Sequence, residues 1–451
     1  MAVSAEELGT QSIKKLLVKQ AVPASVGILF LSLNILIDTI FVGQWIGSLA
    51  IAAITVVLPI TFLISSLGMA IGVGGGSVLS RALGAKNKEK AEQVFGNQIM
   101  MTLLLSFFFL MLCVFFSKEI LLLFGAKGSI MKMATAFFSP LIFSVPFLAL
   151  CMMGNNIIRA EGKAKFAMVA MIIPAFVNII LDIFFIKIMN LGMFGAAMAT
   201  TISYIMCFLF VLWFFLFRSE LKLKKHHFKF NFPIIKEITG LSFVTFARQS
   251  VVSILAIIVN HTLYSYGGEQ SIAVYGIVSR MLMFALFPIL GITQGFIPIA
   301  GYNYGANNYK RVNETILVSI KYAALLATVI YLFILFFAVE IVSVFSSDIQ
   351  VNADTVVALR WVFAASPVIA IQLIGAAYFQ AAGMARKALL LTLSKQGFFL
   401  IPLVLILPNF FGIFGVWVAF PIADICSTVL TAYFLKKEMS IKLIQTTDGI
   451  L

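Results

Sequence analysis

Long apolar stretches recur along the whole chain, and they constrain its fold more than any other feature. A helix that crosses a bilayer needs about 20 consecutive apolar residues, and the 451-residue sequence provides twelve such stretches. Only 11% of the residues are charged and 61% are apolar, whereas soluble domains carry about 25% charged residues. A soluble globular enzyme is therefore excluded. The sequence predicts an all-α polytopic membrane protein with twelve transmembrane helices.

The boundaries of these spans follow from the polar segments between the apolar stretches. They are predicted at about residues 17–41, 51–80, 94–117, 132–158, 166–188, 194–217, 240–264, 271–301, 312–339, 355–381, 388–408 and 413–435. The longest polar stretch follows the sixth span. We therefore expect an amino-terminal lobe over residues 1–217, a cytoplasmic linker over 218–239 and a carboxy-terminal lobe over 240–451.

Lysine and arginine cluster on one side of the predicted membrane, at both termini and after the even-numbered spans. The positive-inside rule places that side in the cytoplasm, so we expect both termini there, in a bacterial or archaeal plasma (inner) membrane. The net charge of +14 does not indicate nucleic-acid binding, because the clusters lie between apolar stretches. His226 and His227 in the linker are a weak candidate for a metal pair, and a solvated linker is the favoured interpretation.

The second half of the chain repeats the first at an offset of 221 residues. Gly47 falls on Gly268 and Gly162 falls on Gly383 at this offset. Because each half has an even number of spans, both insert in the same orientation and are related by a pseudo-twofold axis along the membrane normal. This architecture is typical of transporters that rock two lobes, with sites between or within the halves.

Glycines recur at every fourth residue within two predicted spans. Gly68, Gly72 and Gly76 do so in span two, and Gly291 and Gly295 in span eight. Small residues at this spacing allow close helix approach. No Walker A sequence occurs in the chain, so the sequence does not predict ATP as the energy source.

Two acidic residues lie deep inside spans of the first half. Asp38 follows Asn34 by four residues, and Asp182 follows Asn178 by four residues. This spacing places each amide and acid on one helix face, and Pro174 predicts a kink nearby. Two converging carboxylates in a low-dielectric interior repel each other, so the pair can take up and release a proton as one coupled site. Together with neighbouring oxygens they form an equally good predicted site for Na⁺.

The second half carries basic residues inside its spans instead. Arg248, Arg280 and Lys395 are intramembrane or nearly so, accompanied by Asp424 in span twelve. Ionisable groups at this depth are functional by default. Pairing with Asp424 neutralises only part of this charge. A structural charge network is the favoured interpretation, and a substrate-facing site that holds an anionic group is the alternative.

Four segments of the sequence resemble the multidrug and toxic compound extrusion (MATE) family. They are GGGSVLSRALGAKNKEKA after span two, RAEGKAK after span four, NIILD in span five and IPIAGYNYGANNYKR in the second half. The resemblance covers essentially the whole chain. It implies a fold of two six-helix lobes and export of amphipathic, often cationic compounds against an inward flow of protons or sodium.

The resemblance also assigns roles to individual residues. In the DinF-like branch, which includes MepA-like drug exporters, an Asp of span one and an Asn-x-x-x-Asp of span five mark the cation site. These residues are Asp38, Asn178 and Asp182 here. A Thr and a small residue of span six contribute to that site and align with Thr200 and Ala196.

Two further positions follow from the resemblance. Pro23 matches a proline at which span one bends in the family. The NorM-like branch places acids in spans seven and ten, whereas this chain has Arg248 in span seven and no acid within span ten. The cation site of that branch is therefore not expected here.

These observations predict a secondary active multidrug antiporter that works by alternating access and confers antibiotic resistance. We expect H⁺ or Na⁺ as the coupling ion, no other cofactor, small amphipathic substrates and a monomer in the lipid bilayer. The alternatives within the superfamily are a lipid-linked oligosaccharide or lipid flippase and an exporter of anionic compounds. A membrane-embedded enzyme is disfavoured because no His-Glu-x-x-His or Gly-x-Gly-Asp motif occurs. The two-lobe repeat disfavours a passive channel.

Overall fold

The structure is a computed structural model, and it describes residues 5–345 and 348–447. Within these ranges all regular secondary structure is helical, which confirms the predicted all-α class. The first half contains α1 (Glu7–Thr10), α2 (Ile13–Trp45), α3 (Ser48–Gly84), α4 (Lys88–Phe115), α5 (Ser117–Leu123), α6 (Gly128–Ile142), α7 (Val145–Ala160), α8 (Ala164–Asp182), a π-helix (Ile183–Ile188) and α9 (Gly192–Phe217). After a 3₁₀ turn (Lys225–Phe228) follow α10 (Phe232–Gly305), α11 (Tyr309–Phe345), α12 (Ile349–Val362), α13 (Ile369–Ala381), α14 (Ala385–Leu393), a π-helix (Ser394–Leu400), α15 (Ile401–Ile406), α16 (Pro408–Phe411) and α17 (Ile413–Thr447).

Nine helical stretches of the described ranges are long and apolar enough to cross a bilayer. The bent pair α6 and α7 adds a tenth. The 74-residue α10 is interrupted at Gly268, and each of its two parts is long enough to span a bilayer. Counting α10 as two spans, and α12 with α13 as one, gives the twelve predicted spans.

Several of the predicted spans are not single regular helices within the described residues. Span 132–158 bends by 57° between α6 and α7, and Pro146 lies directly after this break. Span 355–381 breaks between α12 and α13, where Pro367 lies. Proline lacks the N–H that an α-helix requires. Span 388–408 is interrupted by the π-helix Ser394–Leu400.

Contacts divide the chain into two compact units. Unit one comprises Val26–Thr245 and the described residues before Leu8. Unit two comprises Leu8–Ser25 and the described residues from Phe246 onward. Each unit has its own apolar core. Val57, Phe137 and Leu148 are among the buried residues in the core of unit one, while Val259 and Trp417 lie in the core of unit two.

The sequence repeat is visible in the backbone conformation. Lys86 and Asn307 both adopt positive φ, at 55° and 56°, although neither is glycine. Gly162 and Gly383 have φ values of 81° and 83°. Positive φ is uncommon for residues other than glycine, so its recurrence at an offset of 221 residues indicates that both halves use the same turn geometry.

The predicted close approach of helices at the glycine repeats is confirmed. A Cβ atom on Gly68 of α3 would lie 2.5 Å from the carbonyl oxygen of Ala149 in α7. In unit two, Gly295 of α10 packs against Ala21 in the first part of α2. No side chain larger than hydrogen fits at such contacts without backbone movement.

The polar segment after α9 is docked on unit one. The backbone N–H of Lys222 donates to Glu92 Oε1 at 2.9 Å, and the N–H of Asn231 donates to Asn97 Oδ1 at 3.0 Å. His227 is fully buried. Our expectation of a solvated linker is therefore wrong for His227, because its ring packs beside the first turns of α4.

A buried carboxyl group anchors the start of this segment. Glu161, between α7 and α8, accepts hydrogen bonds from Ser219 Oγ at 2.5 Å and from the N–H of Glu220 at 3.2 Å. Lys163 Nζ lies 3.7 Å from the carboxylate and donates to the carbonyl of Arg218 at 2.6 Å. Burial raises the pKa of Glu161 from 4.5 to about 7, although the Ser219 hydroxyl and the Lys163 ammonium oppose the shift.

This raised pKa predicts a pH dependence of stability. The folded protein binds the Glu161 proton more tightly than the unfolded chain does, so the contribution of Glu161 to stability is greatest below pH 4.5 and is lost as the pH rises to about 7. The full effect is about 3 kcal/mol. In Glu161→Gln we expect a melting temperature in detergent that loses this pH dependence and exceeds the wild-type value at pH 8.

The matched control is Glu220→Gln, because the Glu220 side chain is 42% exposed and contacts the same Lys163. This variant should keep the wild-type pH profile. An unchanged profile in Glu161→Gln would show that the buried carboxyl group is not the titrating group.

Candidate functional site

The two predicted intramembrane acids of the first half lie side by side. Asp38 is on α2 and Asp182 is the last residue of α8. Their carboxyl groups are within hydrogen-bond distance of each other. Asp182 is fully buried, and Asp38 is partly buried. Both helices place their acids inside unit one, so this candidate site does not require unit two.

Asn178 is the centre of the hydrogen-bond network around these acids. Its Oδ1 accepts from Asn34 Nδ2 at 2.7 Å. Its Nδ2 lies 3.5 Å from Asp182 Oδ1 and 3.4 Å from Thr200 Oγ1. The Thr200 hydroxyl in turn donates to the carbonyl of Ala196 at 3.1 Å. The structure thus brings all five predicted cation-site residues together.

The local backbone of α8 explains how these side chains are positioned. Pro174 has no N–H to donate to the carbonyl of Ala170, and the thiol of Cys207 on α9 donates to that carbonyl instead, at 3.1 Å. The π-helix Ile183–Ile188 begins directly after Asp182. Such π-helical turns occur frequently at functional sites. α8 is therefore irregular on both sides of the Asn178–Asp182 pair.

Two oxygens of the site lack a donor. Among the described residues, no hydrogen-bond donor reaches Asp38 Oδ1 or Asp182 Oδ2, and both atoms are buried. A buried polar atom without a partner is costly. A proton shared by the two adjacent carboxyl groups, or a small cation bound beside them, would reduce this cost. The arrangement can therefore bind and release a positive charge.

The predicted acids have no counterpart in unit two. At the repeat offset, the position of Asp38 is occupied by Val259 and that of Asp182 by Leu403.

The charge network predicted for unit two is only partly formed. Lys395 Nζ lies 2.7 Å from Asp424 Oδ1.

The two arginines of unit two remain outside this ion pair. Arg248 is partly buried and Arg280 is exposed. Within residues 5–345 and 348–447, neither guanidinium has a hydrogen bond or an ion pair.

Pro23 lies inside α2, which continues as a helix through it to Trp45. Its role in helix bending stays a prediction.

The linker histidines form a cluster with α4 that we had not predicted. Glu89 Oε1 lies 3.0 Å from His226 Nε2 and 3.2 Å from His227 Nε2. The three ligand atoms are close enough to hold a metal ion. However, His227 Nδ1 accepts from the N–H of Lys224 at 3.1 Å, which leaves the proton of a neutral ring on Nε2. The geometry therefore fits hydrogen bonding to Glu89 better than metal binding.

Comparison with known proteins gives consistent matches along the chain. Residues 23–184 and 243–406 match the MatE family. The chain is similar to the multidrug export protein MepA of Staphylococcus saprophyticus, with 27% identity, and to that of Staphylococcus haemolyticus, with 28% identity; each match covers 95% of both chains. A crystal structure of MATE in the bent conformation superimposes with a TM-score of 0.93 at 25% identity, covering 99% of this chain and 100% of that one. The predicted two-lobe membrane fold is thereby confirmed.

Proposed function

The chain belongs to the MatE family, whose members are transporters and not enzymes, and we propose that it is a multidrug efflux transporter driven by protons. Its substrates are small amphipathic organic compounds, exported by alternating access. The names of the MepA relatives support multidrug export. The adjacent carboxyl groups of Asp38 and Asp182 support the exchange of a positive charge.

The orientation of the Asn178 side-chain amide is the observation that favours protons over sodium as the coupling ion. Its amide nitrogen, not its oxygen, faces Asp182 and Thr200. Its oxygen is occupied by Asn34. A sodium ion needs several oxygen ligands, whereas a proton needs only the two unsatisfied carboxyl oxygens. The described side-chain arrangement suits the proton without rearrangement.

In the proposed cycle, a proton from outside binds the Asp38–Asp182 pair and neutralises it. A cationic substrate held by the charged pair is then released outward, because its electrostatic attraction is lost. Bending of α2 at Pro23 accompanies this step. Release of the proton to the cytoplasm restores the negative charge and with it the affinity for the next substrate.

Sodium coupling is the second candidate. Asp182 Oδ1 and Thr200 Oγ1 lie 3.5 Å and 3.4 Å from the Asn178 amide nitrogen, and the Thr200 hydroxyl donates to the Ala196 carbonyl. An amide flip of Asn178 would add a further oxygen, since amide orientations are assigned from the hydrogen-bond network. This candidate predicts that the Thr200 hydroxyl is an ion ligand, which proton coupling does not require.

The decisive experiment measures ethidium efflux from vesicles of known orientation under separate proton and sodium gradients. We expect the proton gradient alone to drive efflux, and Thr200→Val to transport within about threefold of wild type, since only a neutral hydrogen bond is lost. Efflux driven by sodium alone, together with a large loss in Thr200→Val, would establish sodium coupling. If neither gradient moves any cation tested, the multidrug proposal fails and a flippase becomes the better interpretation.

We further propose that the protein is a monomer in a bacterial or archaeal plasma membrane with both termini cytoplasmic. Lysine and arginine clusters at the termini and between α3 and α4 support this orientation. Accessibility labelling of single cysteines placed near each terminus, in intact cells and in inverted vesicles, tests it directly.

A further inference from the structure

Arg248 is a charged residue in the middle of a transmembrane segment. It lies about four helical turns after the start of α10 and roughly five turns before the interruption at Gly268. Its side chain is partly buried. In the described part of the chain its guanidinium has neither an acidic partner nor a hydrogen bond. A cation at this depth costs several kcal/mol in a bilayer unless it has water or an anion beside it.

The face of α10 that carries Arg248 points toward the second π-helix. A Cβ atom on Gly397 would lie 3.7 Å from Val251 Cγ1, so these two helices are in contact at this level. Arg248 precedes Val251 by three residues and therefore lies on the same helix face. Lys395 precedes Gly397 by two residues on the π-helix Ser394–Leu400. Arg248 therefore faces the helix that also carries Lys395, although Lys395, two residues from Gly397, lies on another face of that helix.

The charges in this neighbourhood do not balance. Asp424 is already paired with Lys395 at 2.7 Å. Arg248 therefore leaves the group with one uncompensated positive charge. In a purely structural network, Arg248 would also form an ion pair. The described residues show no such pair.

We infer that Arg248 binds the anionic group of the transported compound. The inference rests on the proposed efflux function and names its substrate class: amphipathic compounds with a carboxylate, sulfonate or phosphate. The guanidinium matches the geometry of such groups through two parallel hydrogen bonds. Substrates that carry a cationic group as well are zwitterions. We expect this chain to bind such zwitterions more tightly than simple lipophilic cations.

Two dyes that differ only at the acid group provide the test. Rhodamine 110 carries a free carboxylate, and rhodamine 123 is its methyl ester. Binding is measured by fluorescence anisotropy with the full chain in phosphatidylcholine nanodiscs, and transport in vesicles under a proton gradient. We expect wild type to prefer rhodamine 110. Arg248→Gln should weaken rhodamine 110 binding at least about tenfold and leave rhodamine 123 binding unchanged.

Further variants separate this role from a structural one. Arg248→Lys retains the charge and should retain most of the preference. Asp424→Asn removes the acid paired with Lys395, which lies on another face of the π-helix, and it should leave rhodamine 110 binding unchanged. Arg386→Gln is the matched control, because it removes a positive charge of the same unit at an exposed position of α14 outside the apolar core. Its dye preference should equal that of wild type.

The outcomes are distinguishable from failure of the proposed function. Gradient-driven transport of rhodamine 123 with no preference for the acid, and no effect of Arg248→Gln, would overturn the inference and leave the efflux function standing. Binding of neither dye would contradict both the inference about Arg248 and the proposed efflux function. Displacement of rhodamine 110 by phosphatidylglycerol, with no transport of the dye, would assign the anion site to a lipid headgroup and overturn the substrate proposal.

Discussion

Replacing Asp182 with asparagine should reduce proton-driven efflux to the background of vesicles that lack the protein. Asp182 is fully buried, its carboxyl lies beside that of Asp38, and its Oδ2 has no donor among the described residues. Asparagine has the same shape but cannot exchange a proton, so the coupled site loses the group that holds the transported charge. Efflux of ethidium against a proton gradient measures this directly.

The fold should survive this substitution. An asparagine at position 182 still accepts from Asn178 Nδ2, and it removes the repulsion between two adjacent acids. We therefore expect an unchanged or higher melting temperature alongside the complete loss of coupling. Asp38→Asn should give the same loss, because one carboxyl alone does not form the pair.

Asp348→Asn is the control for removal of an acid. Asp348 caps α12 by accepting from the N–H groups of Gln350 and Val351, and asparagine is an equally good N-cap. Its efflux should match that of wild type. If Asp182→Asn transports at the wild-type rate, the Asp38–Asp182 pair is structural and the coupling ion binds elsewhere.

The acid pair was predictable because charge is expensive in an apolar span. Asp38 and Asp182 are separated by a long stretch of sequence, yet both stand out against their neighbours. Their convergence followed from the physical need to remove isolated charge from the bilayer. The role of Asn178 was harder to predict, because a sequence cannot show which way a side-chain amide points. The direction of its nitrogen is the observation on which we propose proton rather than sodium coupling.

Other features could not be read from the sequence for identifiable reasons. Glu161 lies in a polar turn, where a carboxylate is normally solvated, and only the docking of Ser219 and Glu220 buries it. The pairing of Asp424 with Lys395, and not with Arg248, depends on distances that helix periodicity does not specify. The breaks near Pro146 and Pro367 were not predicted, because a proline inside an apolar stretch is also compatible with a helix that continues through it, as at Pro174 and Pro298.

Gly68→Ala should destabilise the protein although alanine is the better helix former. The added Cβ would lie 2.5 Å from the carbonyl oxygen and 2.8 Å from the Cα of Ala149. Both are backbone atoms, so no side-chain rotation relieves the overlap and α3 must separate from α7. Overpacking of this kind costs about 2 kcal/mol or more, which exceeds the gain of about 1 kcal/mol from helix propensity. The melting temperature in detergent should fall.

Gly76→Ala tests the same chemical change two turns further along α3. Its Cβ would meet the backbone oxygen of Asn156 at 3.4 Å, an ordinary van der Waals contact. Here only the helix-propensity gain remains, so this variant should be as stable as wild type or more so by about 1 kcal/mol. Because both substitutions add one methyl group to the same buried helix, opposite signs isolate the α3–α7 contact as the cause. Equal effects would mean that close approach at Gly68 does not limit the packing of unit one.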